Sequence, residues 1–204
     1  MLLKQYLLMN KIFKVLFYWF LIFTMFNCSS TRENVIINQY KTNYNIIIKS
    51  AKDNKRDIIN IQFPNKVVIK NNSFYEKSFN QIRYIYENIP IGRDYRIGLF
   101  QEIENNLKKI SNSSKKSILS KKNQSFIIYT RHFLDSTKTT QQQFKPYIKR
   151  MLAENKDTLH IGTVKEFKIK HKELFEKLTN NDSISIQFLD DGKLGERITV
   201  PVKW

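Results

Sequence analysis

Residues 184–204 carry the pattern that most restricts the fold. Ile184, Ile186 and Phe188 alternate with polar residues, Asp190-Asp191-Gly192 follows, and Ile198, Val200, Val202 and Trp204 alternate again. Period-two alternation puts each apolar set on one face of a strand. Asp before Gly suits the left-handed backbone of a tight turn, so the segment predicts a β-hairpin. Pro201 has no N–H to give to a ladder, which places the last strand toward a sheet edge.

Further strands are predicted at 45–50 (NIIIKS), 57–63 (DIINIQF) and 125–131 (SFIIYTR), all short and rich in β-branched residues. Ile59, Ile61 and Phe63 alternate onto one face. Pro64-Asn65 then signals a turn before Val67–Lys70, which suggests a small antiparallel meander.

Elsewhere the spacing is helical. Tyr75, Phe79, Ile82, Tyr86 and Ile89 lie at intervals of four and three residues, with Pro90 as a stop. Ile97, Phe100, Ile103, Leu107 and Ile110 form a second stripe, with Asp94 as N-cap and Glu104–Lys108 as an i,i+4 pair. Thr140 to Gln143 resembles a capping box ahead of a stripe through Phe144, Ile148, Met151 and Leu152, although Pro146 allows a later start. Residues 160–170 favour a strand, and 171–180 a short helix through Leu174, Phe175 and Leu178. The Ser/Lys-rich segment 111–125 reads as a mobile loop. The fold class expected is therefore α+β: a single domain over 45–204 with mostly antiparallel strands, three to four amphipathic helices and a C-terminal β-hairpin.

The chain has 204 residues, 41% of them hydrophobic, enough for a real core. Its net charge is +17, mostly from lysine. Two readings account for that: compositional drift in an AT-rich genome, given the abundance of Asn and Ile, or an anionic partner. The lysine doublets at 108–109, 115–116 and 121–122 have no aromatics between them for base stacking, so nucleic acid is not expected. If the doublets face a partner, anionic lipid headgroups fit better; otherwise the segment is a solvated loop.

The N-terminus reads KIFKVLFYWFLIFTMFNC over 11–28: two lysines, an apolar run from Val15 to Phe26, then the chain's one cysteine, Cys28. The run has the order of an export signal. At about 1.5 Å per residue it is too short for a hydrocarbon core of about 30 Å unless Lys11 and Lys14 snorkel. Met9-Asn10-Lys11 is a more usual start for such a signal than Met1.

Cys28 at the end of this signal resembles the modified residue of bacterial lipoproteins, although Met25, Phe26 and Asn27 are larger than the small residues usual before that cysteine. The resemblance implies a signal peptide over 1–27, diacylglyceryl and acyl chains on Cys28, and a polar tether over 28–44. Ser29 rather than Asp after the cysteine implies the outer membrane, with the domain facing the periplasm.

Catalytic signatures are scarce. His132, His160 and His171 have no two-turn metal spacing, no G-x-S-x-G elbow occurs, and five glycines make neither a P-loop nor a dinucleotide fingerprint. Glu102 and Glu104 would point from different faces of a helix. The best polar constellation is Thr130, Arg131, His132, Asp135 and Ser136, after a strand. The expectation is a lipid-tethered envelope module that binds an envelope protein or a ligand, with no catalytic residue, cofactor or metal assigned. The alternatives are an envelope hydrolase using residues 130–136 and a signal-anchored membrane protein without lipid.

Overall fold

A computed structural model describes residues 34–51, 57–87, 97–104 and 106–204. The signal segment, Cys28, Asp94, Ile89 and Pro90 lie outside them. Among the described residues, strands hold 49% and helices 19%. The fold is thus β-rich, with three antiparallel sheets and four short helices, and the α+β expectation is corrected.

The first sheet has the order β1(Val35–Tyr40), β4(Pro64–Asn71), β9(Asn123–Tyr129), β6(Gly98–Ile103), β7(Asn106–Lys109). Strand β1 falls inside the segment assigned to the tether. The second sheet orders β13(Lys193–Pro201), β12(Ser183–Asp190), β5(Lys77–Ile85), β8(Lys116–Ile118), and the third orders β10(His132–Phe133), β3(Ile58–Gln62), β2(Ile46–Ser50), β11(Thr158–Ile161). The first two sheets share a core containing Val67, Ile69, Phe79, Ile82, Phe126, Ile128, Ile184 and Ile186. The third packs Ile46, Ile48, Ile58, Ile61 and Phe63 against the helices. The helices are α1(Lys138–Gln142), α2(Lys145–Ala153), α3(Val164–Lys170) and α4(Lys172–Thr179).

A bent ribbon joins the layers. β3 runs into β4 through Phe63 alone, and β9 into β10 through Thr130 and Arg131, so both partners change sheet together. At the bend the Thr130 N–H donates to Phe63 O at 3.0 Å, and the Phe63 N–H donates to Thr130 Oγ1 at 3.1 Å. The buried hydroxyl keeps the break in the ladder from stranding a backbone donor. Pro64 therefore starts a strand in another sheet; it does not turn a meander.

Where they are described, both predicted helices at 75–89 and 97–110 are strands, for different reasons. In β5 the register against β12 slips between Phe79 and Gln81, the mark of a bulge at Asn80. One extra residue stretches the Phe79–Ile82 interval to three, mimicking a helical step, before Ile82, Tyr84 and Tyr86 resume alternation. In the second stretch the chain folds back between β6 and β7, with Glu104 at φ +50°. Ile97 and Ile110 reach the same core from the two arms of that hairpin, and Ile110 N–H bonds Leu99 O at 2.9 Å. A pattern mirrored about a turn mimics a helical period.

Segment 111–125 is also more ordered than a loop. It contains β8 and the start of β9, and Lys116 is buried. The Lys116 ammonium donates to the carbonyls of Asn80, Asn112 and Ser114 at 3.3, 3.2 and 2.7 Å, so it satisfies the carbonyl freed by the β5 bulge. Burial lowers its pKa.

Among the helices, Thr137 rather than Thr140 caps α1, and Pro146 starts α2 later, as the alternative expected. Gln141 uses its amide as a substitute strand, accepting from Ile58 N–H at 2.8 Å and donating to Ile58 O at 3.0 Å. Leu152 is exposed. Residues 160–170 split into the end of β11 and α3, whose Thr163 and Glu166 form a true capping box. The C-terminal hairpin is as expected, with β13 at a sheet edge and Asp191 and Gly192 at positive φ.

Candidate functional site

The constellation at 130–136 does not converge. Thr130 is consumed by the ribbon bend. Arg131 N–H donates to the Tyr86 hydroxyl at 2.8 Å. Asp135 points away: it accepts from the Thr137 hydroxyl and from Lys177 at 3.2 Å, and the Thr137 bond above all pulls its carboxyl down to about 2. Ser136 is exposed.

His132 turns inward and is 3% exposed. Phe63, Tyr84 and Tyr86 surround its ring at centroid distances of 5.1, 5.7 and 5.1 Å. Its Nδ1 stands 4.0 Å from Asp182 Oδ2, and Nε2 makes no well-formed hydrogen bond. Asp182 itself accepts from the Tyr84 hydroxyl at 2.8 Å and from Glu87 N–H at 3.0 Å. Burial pushes His132 down to about 3, against a smaller opposing effect of the Leu178 backbone, and raises Asp182. A neutral, enclosed imidazole with no path to a substrate is a core residue, not a general base.

His171 is likewise buried, with Nδ1 3.1 Å from Gln143 Oε1, and stacks between Phe144 and Phe167. His160 is exposed. No group of three or more His, Cys, Asp or Glu among the described residues could hold a metal ion.

The concave site lies elsewhere, at residues the sequence reading did not single out. A cavity of about 380 Å³ opens between the β1–β2 connection, the start of β4, α3 and Trp204. The capping box fixes α3: Thr163 N–H donates to Glu166 Oε2 at 2.6 Å, and Glu166 N–H to Thr163 Oγ1 at 3.3 Å. Gly162 allows it, because a Cβ there would sit 2.7 Å from Glu166 Oε2 at a φ of +33°. The helix then presents Val164, Lys165, Lys168 and Ile169 on one face.

Trp204 forms the opposite wall. Its ring meets Phe63 and Phe175 edge-on at 5.7 and 5.8 Å, tying it to the helical core. Gln39 holds the strand before it, donating to Pro201 O at 2.8 Å and accepting from Lys203 N–H at 3.0 Å. Lys168 donates to Trp204 O at 3.2 Å. The floor is apolar, with Tyr40 half exposed and Ile169 77% exposed. Lys41, Lys165, Lys168 and Lys203 rim it, and no Asp or Glu lines it.

Two buried polar atoms in the wall lack a hydrogen bond, Asn65 Oδ1 and Trp204 Nε1. The indole N–H faces the Tyr84 hydroxyl, where it works against the upward shift of that phenol. Asn65 has only a long bond, Nδ2 to Gln39 Oε1 at 3.4 Å. A second depression of about 360 Å³ shares Lys41, Thr42 and Asn43. There Glu102 is neutralised, accepting from Tyr44 at 2.7 Å and Lys66 at 2.9 Å, and those bonds hold its carboxyl below the usual range.

No family model, curated protein or solved structure matches this chain. The geometry has to carry the functional reading.

Proposed function

We propose that this chain is a non-enzymatic binding module of the cell envelope, held at a membrane through acylated Cys28, and that the Trp204 cavity takes a small amphiphile with an anionic end. The observation that carries the ligand class is the coexistence, in one cavity, of an exposed apolar floor and a rim of four lysines without an acid. Its size falls in the range of small-molecule sites, which are mostly apolar with a few polar groups that fix orientation. Lysine ammoniums are point charges that take phosphate or carboxylate without a demanding geometry. The buried state of His132 supports a binding role over a hydrolytic one.

Trp204 provides the test, because Trp19 is the only other tryptophan. In full chain carrying Trp19→Phe, octyl phosphate should change the Trp204 emission saturably, and octanol or inorganic phosphate should act at least tenfold more weakly. Lys41→Glu with Lys165→Glu should weaken octyl phosphate about tenfold. Equal binding of octanol, or no effect of the two substitutions, would refute the anionic-ligand reading.

Anchorage is tested separately. The intact mass of the membrane-extracted protein should correspond to a chain beginning at Cys28 with acyl chains, and Cys28→Ala should abolish that species. An unprocessed N-terminus would favour the signal-anchored alternative.

A further inference from the structure

The opposite end of β1 and β4 carries a second feature. There the β4–β5 connection and the β8–β9 turn meet and expose three large apolar side chains. Phe74 and Tyr75 are each 80% exposed, and Leu119 is 61% exposed. Scattered apolar groups at a surface need no explanation, but a cluster does.

These groups are held out by a tightly bonded frame. Asn71 is fully buried; its Oδ1 accepts from Ser73 N–H at 2.9 Å and the Ser73 hydroxyl at 2.6 Å. Its Nδ2 faces the carbonyls of Tyr75, Ile118 and Leu119 at 2.7, 3.0 and 3.2 Å, stitching one turn to the other. The Ser120 hydroxyl adds a bond to Ser73 O at 3.1 Å. With its backbone fixed this way, the loop cannot fold Phe74 back onto the sheet without losing several buried hydrogen bonds.

Cations line one side of the apolar tip. The Lys121 ammonium lies 3.9 Å over the Phe74 ring and also bonds Asn72 O. Lys70 and Lys122 are exposed beside it, against a single acid in the loop, Glu76. On its other side the patch meets β12, the strand paired with β5, where Asp190 and Asp191 turn beside exposed Leu194.

The chain also enters the domain here. Val35 pairs with Asn71, and Asn72 N–H bonds Asn34 O at 2.8 Å. Cys28 is six residues before Asn34, a separation that spans at most about 22 Å even when fully extended. A membrane attachment at Cys28 therefore leaves this end of the domain within reach of the same membrane.

We infer that the Phe74–Tyr75–Leu119 tip is a membrane-docking surface, its apolar groups entering the interfacial layer of an anionic bilayer while Lys70, Lys121 and Lys122 meet lipid headgroups. Aromatic and apolar side chains flanked by cations are what such an interface accepts. Only the orientation rests on the reading of the N-terminal segment as membrane-attached. The cavity then stands at the far ends of β1 and β4, roughly 17 Å along a six-residue strand.

The test reads depth, because the apolar run at 15–26 can bind vesicles by itself. In full chain with Cys28→Ala, Leu119→Cys provides a single thiol for an environment-sensitive fluorophore, and Ile169→Cys provides the same label at the cavity end. On vesicles of phosphatidylethanolamine and phosphatidylglycerol, the label at 119 should shift to the blue and be quenched by spin-labelled lipid, and the label at 169 should not. Adding Lys121→Glu and Lys122→Glu should reduce the shift to that seen on phosphatidylcholine. A bound chain whose label at 119 remains as water-exposed as that at 169 would overturn the inference. Insertion at 119 in a protein whose native Cys28 proves unacylated would uphold the tip and remove the lipid anchor.

Discussion

Strand β4 ends in a buried asparagine at each side, and the two are treated oppositely. Asn71, at the tip, has both amide atoms engaged across two turns. Asn65, in the cavity wall, has one long bond and an acceptor with no donor. A satisfied buried amide fixes one backbone arrangement, whereas an unsatisfied buried acceptor costs about 1–3 kcal/mol. The frame at Asn71 holds the apolar groups of the tip outward, and the wall at Asn65 is less fully bonded.

The largest effect expected from breaking this contrast is at the cavity. Trp204→Ala removes a large side chain that packs against both cores, and should cost about 3 kcal/mol in chemical denaturation. It should abolish octyl phosphate binding, read by titration calorimetry since the emission probe is gone, while the label at 119 still inserts. Next comes the tip: Asn71→Ala strands donors and acceptors in two turns and should cost about 2 kcal/mol. Asn65→Ala should cost much less, since it deletes an atom already unpaired. Comparable losses for the two asparagines, measured from urea midpoints at constant m-value, would dissolve the contrast.

What could be read in the sequence follows from how local each feature is. The hairpin at 184–204 was legible because its alternation, turn and edge proline all lie within one segment. Strand β5 was not, because a bulge at Asn80 inserts one residue and converts a period of two into a false helical step. The hairpin of β6 and β7 misled through symmetry about its turn. Thr163 and Glu166 offered a capping box in plain view, while Thr140, which has the same look, is inside a helix that Thr137 caps. The cavity could not have been found this way. Its walls come from residues near 40, 64, 165 and 204, which only the sheet register brings together. The lysines around 121 are legible, but Tyr75 falls in a helical stripe and Phe74 in no element, so the apolar half of the tip stays hidden.

Acid separates the two ends last and with the smallest effect per step. Asn71 and Ser73, which frame the tip, do not titrate, but behind Trp204 lie His132, Asp182, Tyr84 and Tyr86. His132 takes a proton near 6.5 when unfolded but only near 3 when folded, because burial disfavours its charge. Between those values the unfolded state binds more protons, so stability rises with pH and is lost on acidification, by about 1.4 kcal/mol per pH unit at most. Asp182 acts in the opposite sense. Its folded carboxyl, raised by burial, keeps a proton at pH values where the unfolded one has released it, which favours folding as pH falls through that window. Urea midpoints between pH 7 and 4 should therefore fall with acid in the wild type, fall less in His132→Phe, where His171, also lowered by burial, keeps part of the slope, and fall more steeply in Asp182→Asn. If His132→Phe keeps the wild-type slope, the acid-sensitive element is not the interior behind the cavity, and the two ends of β4 do not differ in this respect.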